Sequence, residues 1–298
     1  ALLSMLGEPL VVKELPRWWV AIAEAGAKPQ TTTNGTFLTE ELAAVFTETG
    51  GRLKLSIDTL RQPALNVLRP KMEAVLLVDR LRLIERLRVR GASAGFQLGV
   101  NTVATSLNLA HVVETWEACL KETRVDVFTL ASFRMPRDER GMYHRDAERL
   151  SIDFSSEANR QHFRDILQWA AYRRDSDGIQ FIFPYSRAEW MRILGESRLS
   201  ADSFDERDEE TSAGDDYYCC VPWLKVGVLA DGTVIPCHLL YWPAPEVSFG
   251  SLVTTDFESI WNGAAYRDFR HRMATRQDLG PCRDCRSWWR YHSPQRIE

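Results

Sequence analysis

The sequence has no excess of positive charge: 37 Lys and Arg stand against 41 Asp and Glu, a net charge of −4 over 298 residues. Without a global positive field nothing draws in a phosphate backbone, so nucleic acid is not a default partner. Long hydrophobic runs are also missing. No stretch approaches the roughly 18 to 20 consecutive apolar residues of a membrane-spanning helix, and the N-terminus carries no basic-then-apolar leader pattern. A cytoplasmic protein without a membrane partner is expected. Six cysteines are too sparse for a disulfide scaffold. There is no internal repeat, and no low-complexity segment beyond one acidic stretch. What remains, 45% apolar and 26% charged, is the composition of a globular chain long enough for a large domain plus a small one.

Short apolar runs alternate with helical segments from the N-terminus onward, which predicts parallel strands joined by crossover helices. The strands fall at 2–6, 30–33, 53–57, 96–103, 125–131 and 178–183. Residues 12–25 read as a helix stopped at Gly26, and Thr39 with Glu40 and Glu41 opens another with the charge sign its dipole favours. Asn108 is expected to cap a helix over 109–122, whose Leu109, Val112, Val113, Trp116, Cys119 and Leu120 share one face, so Cys119 reads as core. Ser186 and Glu189 have capping-box spacing for a helix through Leu194. Arg80, Arg82, Arg86, Arg88 and Arg90 crowd one helix, either as a solvated face or as a docking patch for an acidic electron donor.

Residues 202–216 hold eight acidic residues against the single Arg207 and have little to bury, which marks a linker over 201–216. Beyond it come a two-strand reading (Leu224 to Leu229, then Thr233 to Pro236 across Ala230-Asp231-Gly232) and a helical stretch from Asp256 to Ala274.

Three polar motifs follow three successive strands: Gly7-Glu8-Pro9, Thr33-Asn34-Gly35 and Ser56-Ile57-Asp58. The carboxyl edge of a parallel sheet is where ligands bind, because loops there vary while strands fix their positions. Glu8 offers a carboxylate to an ammonium group, and Ser56 and Asp58 can hydrogen-bond hydroxyls or an amine. Five of the six cysteines lie after residue 218: Cys219, Cys220, Cys237, Cys282 and Cys285. Four thiolates from separate segments, one pair on a Cys-x-x-Cys turn, can surround an iron–sulfur cluster or a tetrahedral zinc. His238 is a spare candidate ligand beside Cys237.

These residues resemble the radical S-adenosylmethionine (radical SAM) enzymes that carry a SPASM or twitch-type C-terminal domain. Gly7-Glu8-Pro9-Leu10 is similar to the family's Gly-Gly-Glu-Pro element, with Leu6 in place of the first glycine. Thr33-Asn34-Gly35 resembles the next strand's element, and Ser56 with Asp58 the pair after that. Cys219 to Trp223, Asp231-Gly232 with Cys237, Ser259-Ile260-Trp261-Asn262-Gly263, Tyr266, Arg270, and Cys282 with Cys285 fall in the family's order. The resemblance implies an α/β fold: a partial (β/α)6 radical SAM barrel over 1–200, then a small SPASM/twitch-like 4Fe-4S domain over 217–298. It implies that Glu8 binds the amino group of S-adenosylmethionine, that Gly7, Pro9, Thr33, Asn34, Ser56 and Asp58 line that cofactor, and that Arg69 approaches its carboxylate. Arg69 reads equally as an ordinary helix-start residue. Cys219, Cys237, Cys282 and Cys285 would hold one auxiliary 4Fe-4S cluster, with Cys220 as the alternative to Cys219. The function implied is reductive cleavage of S-adenosylmethionine and hydrogen abstraction from a peptide or protein, fed by a donor such as flavodoxin or ferredoxin. The family's Cys-x-x-x-Cys-x-x-Cys loop does not occur in the 298 residues. The expectation is that a preceding strand and its cluster loop are missing from this fragment, which alone would be inactive. The rival is a non-catalytic binding protein with a structural zinc held by four cysteines.

Overall fold

Along the strands of the N-terminal unit one set of alternate positions is apolar and the other polar, and this decides the architecture. The computed structural model describes residues 1–3, 7–93, 95–132, 147–185, 187–196, 219, 221–237, 247–275, 277 and 280–282. Two compact units divide the chain, Ala1–Glu209 and Glu210–Glu298. The first runs α1 (Leu15–Glu24), β1 (Gln30–Thr33), α2 (Glu40–Thr49), β2 (Gly51–Ser56), α3 (Gln62–Leu68), α4 (Ala74–Gly91), β3 (Phe96–Ala104), α5 (Val112–Glu122), β4 (Val127–Ser132), α6 (Ala147–Leu150), α7 (Glu157–Asp177), β5 (Gln180–Ile182) and α8 (Arg187–Leu194). All five strands are parallel and lie in sequence order, β1-β2-β3-β4-β5. With crossovers of one hand, sequential order puts every helix on the same face, the arrangement of a barrel wall and not of a doubly wound sheet.

That face is dry. Thr33, Leu55, Val100, Phe128 and Phe181 form one row across the sheet. Leu55, Val100 and Phe128 are fully buried and join Trp19, Phe46, Leu81, Trp116 and Phe163 from the helices in a single core. Two polar side chains inside it satisfy each other: Trp116 Nε1 donates to Thr102 Oγ1 at 2.9 Å, and Thr102 Oγ1 donates to the Ile57 carbonyl at 2.7 Å. Among the described residues no helix is long and apolar enough to cross a membrane.

Several sequence expectations need correction. Of 2–6, Leu2 makes a single parallel bridge to Gln30, while 4–6 lie outside the described residues. The first helix starts at Leu15, with Pro16 in its first turn, not at residue 12. Thr39 does cap α2, its hydroxyl accepting from Leu42 N at 3.2 Å. Ser186 and the acidic stretch 201–216 lie outside the described residues. In the arginine run on α4, Arg86 is exposed and the other four have partners. Arg82 pairs with Glu122, Arg88 with Asp126 and Arg90 with Glu40, while Arg80 Nε donates to the Gly35 carbonyl.

Cys119 sits in the core with no exposed surface, and burial pushes its thiol up to about 12 from the ordinary 9.0. An acid whose folded pKa is raised stabilises fully below its unfolded value, so this contribution fades as pH rises above 9.0. Iodoacetamide at pH 8 is expected to leave Cys119 unmodified in the folded chain and to label it in urea, read by peptide mass spectrometry.

Candidate active site and cluster-binding unit

Glu8 is held from three sides. It caps the short turn Pro9–Val11, with Oε1 accepting from Leu10 N at 3.1 Å. The buried Thr33 hydroxyl, at the end of β1, donates to the same oxygen at 2.5 Å, and Asn34 N donates to Oε2 at 2.9 Å. Gly35, at φ +81°, turns the chain sharply enough for its own N–H to reach Thr33 Oγ1 at 3.0 Å. The Asn34 side chain faces forward and accepts from Thr36 N at 2.8 Å, so it shapes the turn. A carboxylate offers about four acceptor positions. Among the described residues three are used, and one on Oε2 is left for an N–H from outside.

At the end of β2, Ser56 is buried and pairs in register with Asn101. Asp58 is buried too. Its Oδ1 accepts from Val103 N at 2.8 Å and its Oδ2 from Arg69 Nε at 2.7 Å. Arg69 follows the last residue of α3, so it closes a helix instead of starting one. Among the described residues only its Nε is engaged, which leaves the two terminal nitrogens, with their four N–H groups, for another acceptor.

Sequence reasoning misjudged Asn108. It makes no helix-cap hydrogen bond. Fully buried, its Oδ1 accepts from Thr105 N and Oγ1 at 2.7 and 2.9 Å, and its Nδ2 donates to the Asp58 and Val103 carbonyls at 2.7 and 2.9 Å. Asn108 thus tethers the loop carrying Asp58 to the end of β3. Cap-forming and loop-bridging asparagines look alike in sequence, because both use one short amide against backbone groups. Asn108→Ala strands buried donors and acceptors and is expected to cost about 3 kcal/mol, checked by urea unfolding.

The second unit has α9 (Val221–Leu224), an antiparallel pair β6 (Gly227–Val228) and β7 (Val234–Ile235), α10 (Phe257–Trp261) and α11 (Ala264–Thr275). Leu224 therefore ends a helical turn, and the expected 256–274 helix breaks at Asn262-Gly263. Arg270 ties these pieces together. Its Nε donates to the Pro222 carbonyl at 3.0 Å and its Nη1 to the Trp261 carbonyl at 2.8 Å, with its guanidinium 4.0 Å from the Trp261 ring and 4.1 Å from Tyr266.

Two described cysteines border one apolar patch. Cys219 and Cys282 pack with Trp223 against Val247, Phe269 and Met273. Phe249 touches that cluster, and its ring centroid lies 4.2 Å from that of Tyr266 at a tilt of 35°. Burial pushes the Tyr266 hydroxyl up to about 12, with the neighbouring Cys237 charge acting in the same direction. Among the described residues no three His, Cys, Asp or Glu side chains form a metal-sized group. Cys220, His238 and Cys285 lie outside the described residues. As chemistry, the donor set fits an iron–sulfur cluster: soft thiolates on separate segments beside an apolar wall.

The fold and this edge define the class as a partial β/α barrel with a cysteine-bearing C-terminal unit. Residues 219–286 match the SPASM family, described as an iron-sulfur cluster-binding domain. Streptococcus suis SuiB superposes with a TM-score of 0.61 at 16% identity over 89% of this chain and 56% of SuiB. SuiB bound to precursor peptide SuiA gives 0.60 at 15% identity, over 89% and 54%. Native anSMEcpe with bound AdoMet (S-adenosylmethionine) and Kp18Cys peptide gives 0.56 at 15% identity, over 94% of this chain and 71% of that one. The chain thus spans little more than half of SuiB. No curated protein matches it in sequence. Fold and domain match together bear out the resemblance to radical SAM enzymes with a SPASM domain.

Proposed function

We propose that this chain is part of a peptide-modifying radical SAM enzyme, with the barrel edge holding the amino-acid end of S-adenosylmethionine and the C-terminal unit holding one auxiliary 4Fe-4S cluster. The observation that carries the reading is a fixed carboxylate, Glu8, and a fixed guanidinium, Arg69, at the same edge of a parallel sheet. Opposite charges at one edge complement a zwitterion. Glu8 Oε2 accepts from the ammonium group, and the Arg69 terminal nitrogens donate to the carboxylate. Asp58 positions Arg69, and Thr33 and Asn34 position Glu8. Because these partners are in place before binding, little ordering cost is left for the bound state. S-adenosylmethionine, with a reduced cluster, supplies a 5′-deoxyadenosyl radical for hydrogen abstraction. A peptide substrate is supported by the fold shared with SuiB, which has been solved with a precursor peptide. Cys219, Cys237, Cys282 and Cys285 ligate the auxiliary cluster, and a flavodoxin or ferredoxin supplies the electron.

Calorimetry with two uncleaved probes tests the reading. S-adenosylhomocysteine is expected to bind at least about tenfold more tightly than 5′-methylthioadenosine, which lacks the amino-acid end. Equal affinities would contradict it.

A further inference from the structure

Over β1 to β3 the sheet face away from the helices is mostly polar, and one of its side chains is a cation with no charged partner among the described residues. Alternation and register place Thr32 and Lys54 in one row of that face, with Ser56, Asn101 and Thr129 in the row above. Lys54 lies across the sheet. Its Cγ would stand 2.8 Å from a Cβ at position 99, so only glycine lets it pass, and its Nζ reaches Thr129 Oγ1 at 3.4 Å. No described strand position on that face is acidic, and the other cation there, Arg52, donates to Gln97 Oε1 at 2.8 and 3.1 Å. Burial, with Arg52 adding to it, holds the Lys54 ammonium below the ordinary lysine range. An ammonium withdrawn from water and given only a distant hydroxyl is a cost that a structural role does not explain.

We infer that Lys54, with Thr129, Asn101 and Ser56 around it, forms a subsite for a carboxylate of the substrate. One ammonium flanked by neutral donors matches a single negative charge, which favours a carboxylate over a phosphate dianion. The source is the substrate and not the methionyl group of the cofactor. Arg69 already serves the sheet edge, and Lys54 lies two residues back along β2 from Ser56, about 7 Å deeper. This inference rests on the proposed function: with the cofactor at the sheet edge, the adjoining face is where a substrate would meet it.

The test uses the full chain and the nuclear magnetic resonance signal of the Lys54 Cε–Nζ group at constant pH, assigned by its loss in Lys54→Met. N-acetylglutamate α-amide is expected to shift that signal saturably. N-acetylglutaminamide, isosteric and uncharged, is expected to bind at least about tenfold more weakly. Thr129→Val should weaken the glutamate probe and leave the Trp116 indole signal, a marker of the folded core, in place. Equal binding of the two probes, or no movement of Lys54 with either, overturns the inference. Movement with S-adenosylhomocysteine but not with the glutamate probe overturns it as well, by assigning the carboxylate to the cofactor. Failure here leaves the preference for S-adenosylhomocysteine over 5′-methylthioadenosine intact, so the two readings fall separately.

Discussion

Replacing Cys282 by alanine is expected to remove the iron from the anaerobically reconstituted chain, from about four atoms per chain to near none. The half-buried thiol packs on Val247, Phe269 and Met273, and a sulfur-to-hydrogen change there loses only about 1 kcal/mol of packing. Loss of metal therefore reports ligation and not collapse. Cys219→Ala and Cys237→Ala are expected to do the same. Cys119→Ala is the control: its thiol is sealed in the core of the other unit, so iron should be retained while stability falls. Iron that survives Cys282→Ala would remove this cysteine from the ligand set.

The second large effect is at Glu8. Glu8→Gln keeps the shape but exchanges an acceptor oxygen for an amide donor and removes the charge that attracts an ammonium group. A charge-assisted hydrogen bond contributes about 1.5 to 3 kcal/mol, so S-adenosylhomocysteine should bind roughly tenfold to a hundredfold more weakly. The affinity for 5′-methylthioadenosine should hold. Thr33→Val, which removes the 2.5 Å donor to Oε1, is expected to give a smaller loss in the same direction. A Glu8→Gln chain that loses both probes equally would mean that the loop, and not the ammonium contact, was destroyed.

Much of the fold was legible because two periods are plain in the sequence. Leu53 and Leu55 alternate with Arg52, Lys54 and Ser56, and the parallel sheet follows from that alternation with helices between. The turns at Gly7-Glu8-Pro9 and Thr33-Asn34-Gly35 were legible for a similar reason: only certain residues tolerate their backbone angles. Long-range side-chain partners were not legible. Nothing local tells Asn108 that it will bridge two carbonyls 50 and 5 residues back instead of capping the helix beside it. The partners of the α4 arginines, Glu122, Asp126 and Glu40, were not legible either, because they come from other elements. Lys54 passed unremarked as one charge among many, since its isolation depends on Gly99 and Thr129 on neighbouring strands. The cysteines show the opposite case. Their spacing resembled a known domain before any contact was visible, and the family match falls on those same residues.

The most direct test of the account is to reconstitute the chain anaerobically with iron and sulfide, count both, and record the Mössbauer spectrum. About four iron and four acid-labile sulfide per chain, with the spectrum of a 4Fe-4S cluster that disappears in Cys282→Ala, is the predicted result. A colourless chain that takes up one zinc on the same cysteines and no sulfide would contradict it.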